Sequence, residues 1–132
     1  MDTMDELGEF MSSPVLRIDS DSSIQEAAIL MEANHIGSLI VEQYGDDIGI
    51  VSEKDMTRKV LARKGDPESL TVSEIMDPIQ SMDRFLPIEE ANIYMHDHKI
   101  RHLAVTEDDK IVGIISVKDL VSYYSRDFRM QE

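Results

Sequence analysis

The chain has no cysteine among its 132 residues. That excludes disulfides, thiol catalysis and cysteine-ligated metals, and it suits a reducing compartment, so a cytoplasmic location is expected. No stretch approaches the roughly 20 apolar residues that a membrane-spanning helix needs. The first six residues, Met-Asp-Thr-Met-Asp-Glu, are acidic, unlike a secretory signal. Basic charge is scarce, with 13 Lys and Arg against 27 Asp and Glu and a net charge of −14. Such a balance opposes general binding to nucleic acid or anionic lipid. Any anionic ligand must be drawn in by local positive groups. Catalytic signatures are also missing: there is no nucleophile–base–orienter set, no Walker loop and no dinucleotide glycine fingerprint. The expectation is a chain that is not an enzyme. His98 and His102 lie four apart, but a strand entry between them breaks helical spacing, and no metal site is expected.

What the chain does have is an octet written twice. Gly113 to Leu120 reads Gly-Ile-Ile-Ser-Val-Lys-Asp-Leu, and Gly49 to Met56 reads Gly-Ile-Val-Ser-Glu-Lys-Asp-Met. Each begins with a β-branched run suited to a buried strand. Each ends with Ser followed three residues later by Asp, the pattern of a helix-capping box. A strand running into a capped helix puts a hydroxyl, a carboxylate and free backbone amides on one corner. Helix N-termini attract anions, so this corner suits a phosphorylated ligand, or it is a well-made turn alone.

The repeat extends further. With a shift of 64, residues 24–56 and 88–120 match at 13 of 33 positions without a gap. Periodicity places strands at 15–18, 38–41 and 48–51, and helices at 24–34 and 52–63 with Met56, Val60 and Leu61 as the inner face. The second half mirrors this. A short helical connection covers 71–76 and strands fall at 79–82, 102–105 and 111–115. A helix opened by Pro87 runs to about Lys99, and a last helix spans 116–124 before a polar tail. Residues 1–11 read as a short amphipathic helix with Thr3 and Glu6 as a capping box. Asp46-Asp47 and Asp108-Asp109 read as solvated tips of equivalent turns. Duplication of a small unit implies two βαββα repeats of α/β (α+β) class, packed about a pseudo-two-fold axis. Each repeat has a small mixed three-stranded sheet flanked by helices. The division falls between 66 and 67, giving 1–66 and 67–132. Clefts between repeats are where small ligands tend to bind.

These residues resemble a tandem pair of cystathionine β-synthase (CBS) domains, a Bateman module. The likeness covers roughly 9–64 and 74–126. It is carried by the two octets, the strand entry Lys99-Ile100-Arg101-His102-Leu103-Ala104-Val105, and the openings Met11-Ser12-Ser13-Pro14 and Met76-Asp77-Pro78. No catalytic or DNA-binding domain is read beside the two copies, so a stand-alone pair is expected. The resemblance implies a regulatory module that binds adenosine-type nucleotides (AMP, ADP, ATP or S-adenosylmethionine) between repeats and signals by conformational change to an effector protein. It also implies a homodimer. By similarity, Ser116 and Asp119 would hold one ribose and phosphate, with Met11, Leu16, Ile36 and Gly37 around the base. Ser52 and Asp55 would hold another, with Met76, Ser81 and Ile100. Arg101-His102 stands where the first repeat has Gly37-Ser38, so unequal sites are expected, with Arg101 as the phosphate ligand. The alternatives from other classes are a ligand-free dimerisation scaffold and a divalent-cation sensor.

Overall fold

The computed structural model describes residues 5–130, with side chains to Arg126. The described chain forms two compact units of the same design. One comprises residues 16–79; the other joins the N-terminal segment to 80–132.

In the 16–79 unit, β1 (Arg17–Asp19) leads into α1 (Ile24–Asn34), and α1 returns to β2 (Ser38–Gln43), which lies parallel to β1. β3 (Asp46–Ser52) then folds back antiparallel, so the apolar β2 is the central strand. Leu39, Ile40 and Val41 are buried on it. α1 begins where Ser23 and Glu26 exchange side-chain and backbone bonds in a capping box, and it ends at His35 in the left-handed conformation. Ile24, Ala27 and Met31, spaced three and four apart, form its buried stripe against Leu39, Val41 and Val51. Tyr44 and Gly45 both have positive φ, the geometry that lets a two-residue turn follow the strand twist.

The second unit repeats each element. β4 (Ser81–Asp83), α3 (Ile88–His98), β5 (His102–Glu107) and β6 (Lys110–Ser116) give the same strand order and registers. Even the bulge recurs, at Val41/Glu42 and at Val105/Thr106. Leu7, Ile88, Ala91, Met95, Leu103, Val105, Ile115 and Leu120 form its core. Two small mixed three-stranded sheets flanked by helices are thus present as the repeat implied.

Compactness and sequence repeat cut the chain at different places. The N-terminal opening pairs with the second hairpin: Ser12 exchanges both backbone bonds with Ile114, at 2.8 and 3.1 Å. The second opening pairs with the first hairpin, where Asp77 and Ile50 exchange two bonds of 2.9 Å. Each opening lies over the hairpin glycine, Met11 on Gly113 and Met76 on Gly49.

Several local expectations are corrected. The N-terminal helix is one 3-10 turn, Leu7–Glu9, boxed by Glu6 and Glu9; Thr3 lies outside the described residues. Strands β1 and β4 begin two residues later than the periodicity placed them, at Arg17 and Ser81. Pro87 is the N-cap of α3, not its first helical residue. Leu61 is 67% exposed and does not belong to the inner face. The last helix, α4 (Val117–Met130), continues through the stretch read as tail. Asp46-Asp47 and Asp108-Asp109 are not equivalent. Asp108-Asp109 forms a turn tip, whereas Asp46-Asp47 opens β3 and Asp47 receives a two-pronged bond from Arg17 at 2.8 and 3.1 Å.

The glycine contact gives a test. A Cβ on Gly113 would lie 2.7 Å from Met11 Cγ and 3.0 Å from the Ser12 carbonyl oxygen. Gly113→Ala is expected to cost about 1–3 kcal/mol by overpacking, read as a lower urea midpoint. An unchanged midpoint would show that the opening segment yields freely.

Candidate functional site

Both octets build the same corner. β3 ends at Ser52, which caps α2 (Glu53–Met56). Asp55 Oδ2 accepts from the Ser52 amide at 2.9 Å and from its hydroxyl at 3.0 Å. β6 ends at Ser116 and α4 follows. Asp119 Oδ2 accepts from the Ser116 amide at 2.8 Å and its hydroxyl at 2.9 Å. The strand entry closes each corner through its backbone: Gly37 O accepts from the Glu53 amide, and Arg101 O from the Val117 amide. The spacing Ser-x-x-Asp produces this because residues three apart share one face of a first helical turn.

The corners differ in what meets the second carboxylate oxygen. Asp55 is 5% exposed, and its Oδ1 lies 3.0 Å from Lys59 Nζ. The same ammonium reaches Asp77 at 2.9 Å and the Ile75 carbonyl at 2.8 Å. Burial pushes the Asp55 carboxyl above the usual carboxylate range and Asp77 adds to this, while Lys59 and the Ser52 amide oppose. Burial also weighs on Asp77, but its bonds with Asp55 and Lys59 hold it below that range. Lys59 is raised, its two carboxylates outweighing desolvation.

Asp119 is half-buried, and among the described residues no cation is bonded to it. It lines an open hollow of about 260 Å³ with Phe10, Ser122, Tyr123 and Arg126. The Phe10 and Tyr123 rings meet edge-on at 4.7 Å, and the Arg126 guanidinium lies 5.2 and 5.6 Å from their centroids. Sequence reading missed Ser122, Tyr123 and Arg126. The signal was present as the helical spacing of positions 119, 122, 123 and 126, the first three in the helix expected over 116–124 and the last in what was read as a tail. His102 pairs with Ser116 across β5 and β6. Burial lowers its pKa from the ordinary 6.5; Asp119 opposes this and Arg101 adds to it. Arg101 itself is exposed.

The other sequence candidates divide between the units. Met11 lies in the unit of Asp119, packed on Gly113 of the hairpin that leads into α4. Met76 lies with Asp55. Leu16, Ile36 and Gly37 belong to the unit of Asp55, and Ser81 and Ile100 to that of Asp119. Among the described residues, no group of three His, Asp or Glu side chains is arranged to hold a metal ion. None of the described helices is long and apolar enough to cross a membrane.

Comparison with known proteins agrees with the fold. The family model described as CBS domain matches residues 7–62 and 72–126. The CBS domain-containing protein YhcV of Bacillus subtilis is 29% identical over 118 residues, 89% of this chain and 84% of that protein. Relatives from Methanopyrus kandleri and Arabidopsis thaliana, 28% and 27% identical over 87% and 91% of this chain, are longer; the match spans 60% and 61% of their lengths. A conserved protein from Pyrococcus horikoshii superposes with a TM-score of 0.87 at 28% identity, covering 94% of this chain and 95% of that one. A hexameric CBS-CP12 protein from bloom-forming cyanobacteria gives 0.81 at 31% identity, over 88% and 69%. A CBS domain protein from Pyrobaculum aerophilum complexed with AMP shares the fold at 0.80, with 23% identity over 88% and 90%.

The His102 environment sets a pH dependence. Its folded pKa lies below the unfolded value, so the folded chain binds fewer protons in that window. Stability is therefore unaffected well above pH 6.5 and falls as pH drops below it towards the folded value. An NMR titration should place the His102 midpoint below 6.5, and Asp119→Asn should lower it further. A midpoint at or above 6.5 contradicts this environment.

Proposed function

The chain belongs to the CBS domain family, and from that premise we propose that it is a ligand-sensing regulatory pair whose adenosine-type ligand binds at the Ser116–Asp119 corner. The observation that supports this is the half-open Asp119. Its Oδ2 is held by Ser116, and the carboxylate borders an open hollow. A carboxylate fixed this way can accept both hydroxyls of a ribose, a recognition that needs acceptor-only chemistry. The amide end of α4 and the Arg101 guanidinium, beside it at the strand entry, supply the positive groups for phosphate. Arg126, held over Phe10 and Tyr123, adds a second guanidinium at the far side of the hollow. Met11 packs on Gly113, three residues before the Ser116 corner, and suits one wall for the base. The Pyrobaculum relative's AMP complex supports the ligand class. Ligand binding would shift the chain's conformational balance, and an effector protein would read the change.

The pair acts as a homodimer in the cytoplasm. Support comes from the adjoining helices α3 and α4, which leave Ile93 58%, Val121 60% and Tyr124 37% exposed. Apolar side chains clustered on neighbouring helices favour an apolar partner, and a second copy brings the same surface to an isologous contact.

Two measurements test this reading. AMP or ATP at 100 times its Kd should stabilise the chain by about 2.7 kcal/mol, a rise of several degrees in Tm. Asp119→Asn should abolish the rise while the folded spectrum persists. A shift with Mg²⁺ alone would instead favour the cation sensor. Val121→Asp should convert the dimer to a monomer in sedimentation; an unchanged mass would remove α4 from the interface.

A further inference from the structure

The two corners descend from one repeat, yet they are furnished differently, and the difference is local to Lys59. In the 16–79 unit the helix after Ser52 does not continue as a plain α-helix. From Thr57 to Leu61 it widens into a π-helical turn, and Lys59 lies in the middle of it. Such turns frequently mark functional positions. The Lys59 ammonium is anchored by three oxygens, those of Asp55, Asp77 and Ile75, at 3.0, 2.9 and 2.8 Å. With Oδ2 occupied by Ser52 and Oδ1 by Lys59, Asp55 has both oxygens engaged and is 5% exposed.

The other unit carries different residues at both places. Tyr123 stands 64 residues after Lys59, and its hydroxyl donates to Asp5 at 2.7 Å. Ser12 holds the place of Asp77, since each pairs with the corresponding strand of its hairpin. Neither brings an ammonium to Asp119, which remains half-open beside its hollow.

We propose that Lys59 is a built-in occupant of the Asp55 corner: its ammonium takes the carboxylate that a ribose diol would need, and the chain is a one-site receptor that reads its nucleotide only at Asp119. The inference rests on the adenosine reading of these corners. A ligand competing for Asp55 would have to detach a cation from two carboxylates and a carbonyl and leave that cation unpaired in a half-buried position. Hydroxyl donors cannot match an ammonium for a carboxylate flanked by a second carboxylate. The lock also explains why the first repeat manages with Gly37-Ser38 where the second has Arg101-His102: a corner that receives no phosphate needs no guanidinium at its strand entry.

Calorimetric titration of the full chain with AMP decides the matter. The wild type is expected to take one AMP per chain, and Asp55→Asn is expected to leave both stoichiometry and affinity unchanged. Lys59→Tyr with Asp77→Ser installs what the other unit carries, and it should raise the count to two. Adding Asp119→Asn to that pair should return it to one. Circular dichroism checks folding, and Lys59→Ala alone takes the place of the double variant should the latter unfold. Two AMP bound by the wild type, loss of binding in Asp55→Asn, or a count that does not rise when a folded chain is unlocked would each overturn the proposal. The Asp119 reading fails separately: if the wild type binds no AMP and the unlocked chain binds one, the lock stands and the Asp119 site falls. If neither binds, both fall.

Discussion

The Ser–Asp exchange at the strand-to-helix corner is the constraint on which the rest depends. It fixes where a strand stops and where a helix starts, and it satisfies amide donors that would otherwise be orphaned. The same exchange takes only one carboxylate oxygen. The other is left to the surroundings, so one short motif yields two chemically different corners. At Asp55 an ammonium fills the vacancy and the carboxylate becomes part of the interior. At Asp119 the carboxylate stays half-open beside an aromatic-backed guanidinium. The electrostatic cost of burying Asp55 is offset only because Lys59 and Ser52 both meet it, and removing either partner would strand a charge.

Around each corner the fold is economical. A central β2 or β5 strand is flanked by one parallel and one antiparallel neighbour, and helices cover the sheet. A three-stranded sheet of this size has little edge protection, and the openings provide it. Ser12 and Asp77 each pair with the hairpin strand of the unit they join. Glycine at 49 and 113 is what lets a methionine lie so close to the strand. Exchange of openings between repeats ties the N-terminus to the second hairpin, so the unit containing Asp119 closes only when both ends of the chain are in place. That unit also carries the exposed apolar side chains of α3 and α4, which puts ligand corner and proposed dimer surface on one body.

The acidic balance acquires a local meaning. In a chain of net charge −14, Lys59 is enclosed by carboxylates, and Arg17 is paired with Asp47. Arg126 lies over two rings and Arg101 stands exposed beside the Asp119 corner. At the positions of these two guanidiniums the first repeat has Gly37 and Ala62.

Much was legible in the order of residues. Strand–helix–strand–strand order, the duplication and the Ser–Asp capping boxes follow from spacing, because each depends on neighbours within a few positions. Arg101-His102 against Gly37-Ser38 announced that the corners differ. The manner of the difference was not readable, because it depends on groups far apart in sequence. Lys59 meets Asp77 eighteen residues on, and Tyr123 meets Asp5 across 118. Leu61 was assigned inward because a uniform 3.6-residue period was assumed, and the π turn rotates that face. Residues 125–130 were read as part of a polar tail, yet they continue α4, whose start is held by Leu120 in the core and by Tyr123 against Phe10. Sequence alone therefore determined the repeated unit and its Ser–Asp corners, whose bonds span three residues. Tertiary structure decided which corner is closed and which is open, because a carboxylate's second oxygen is claimed by whatever the fold brings near it.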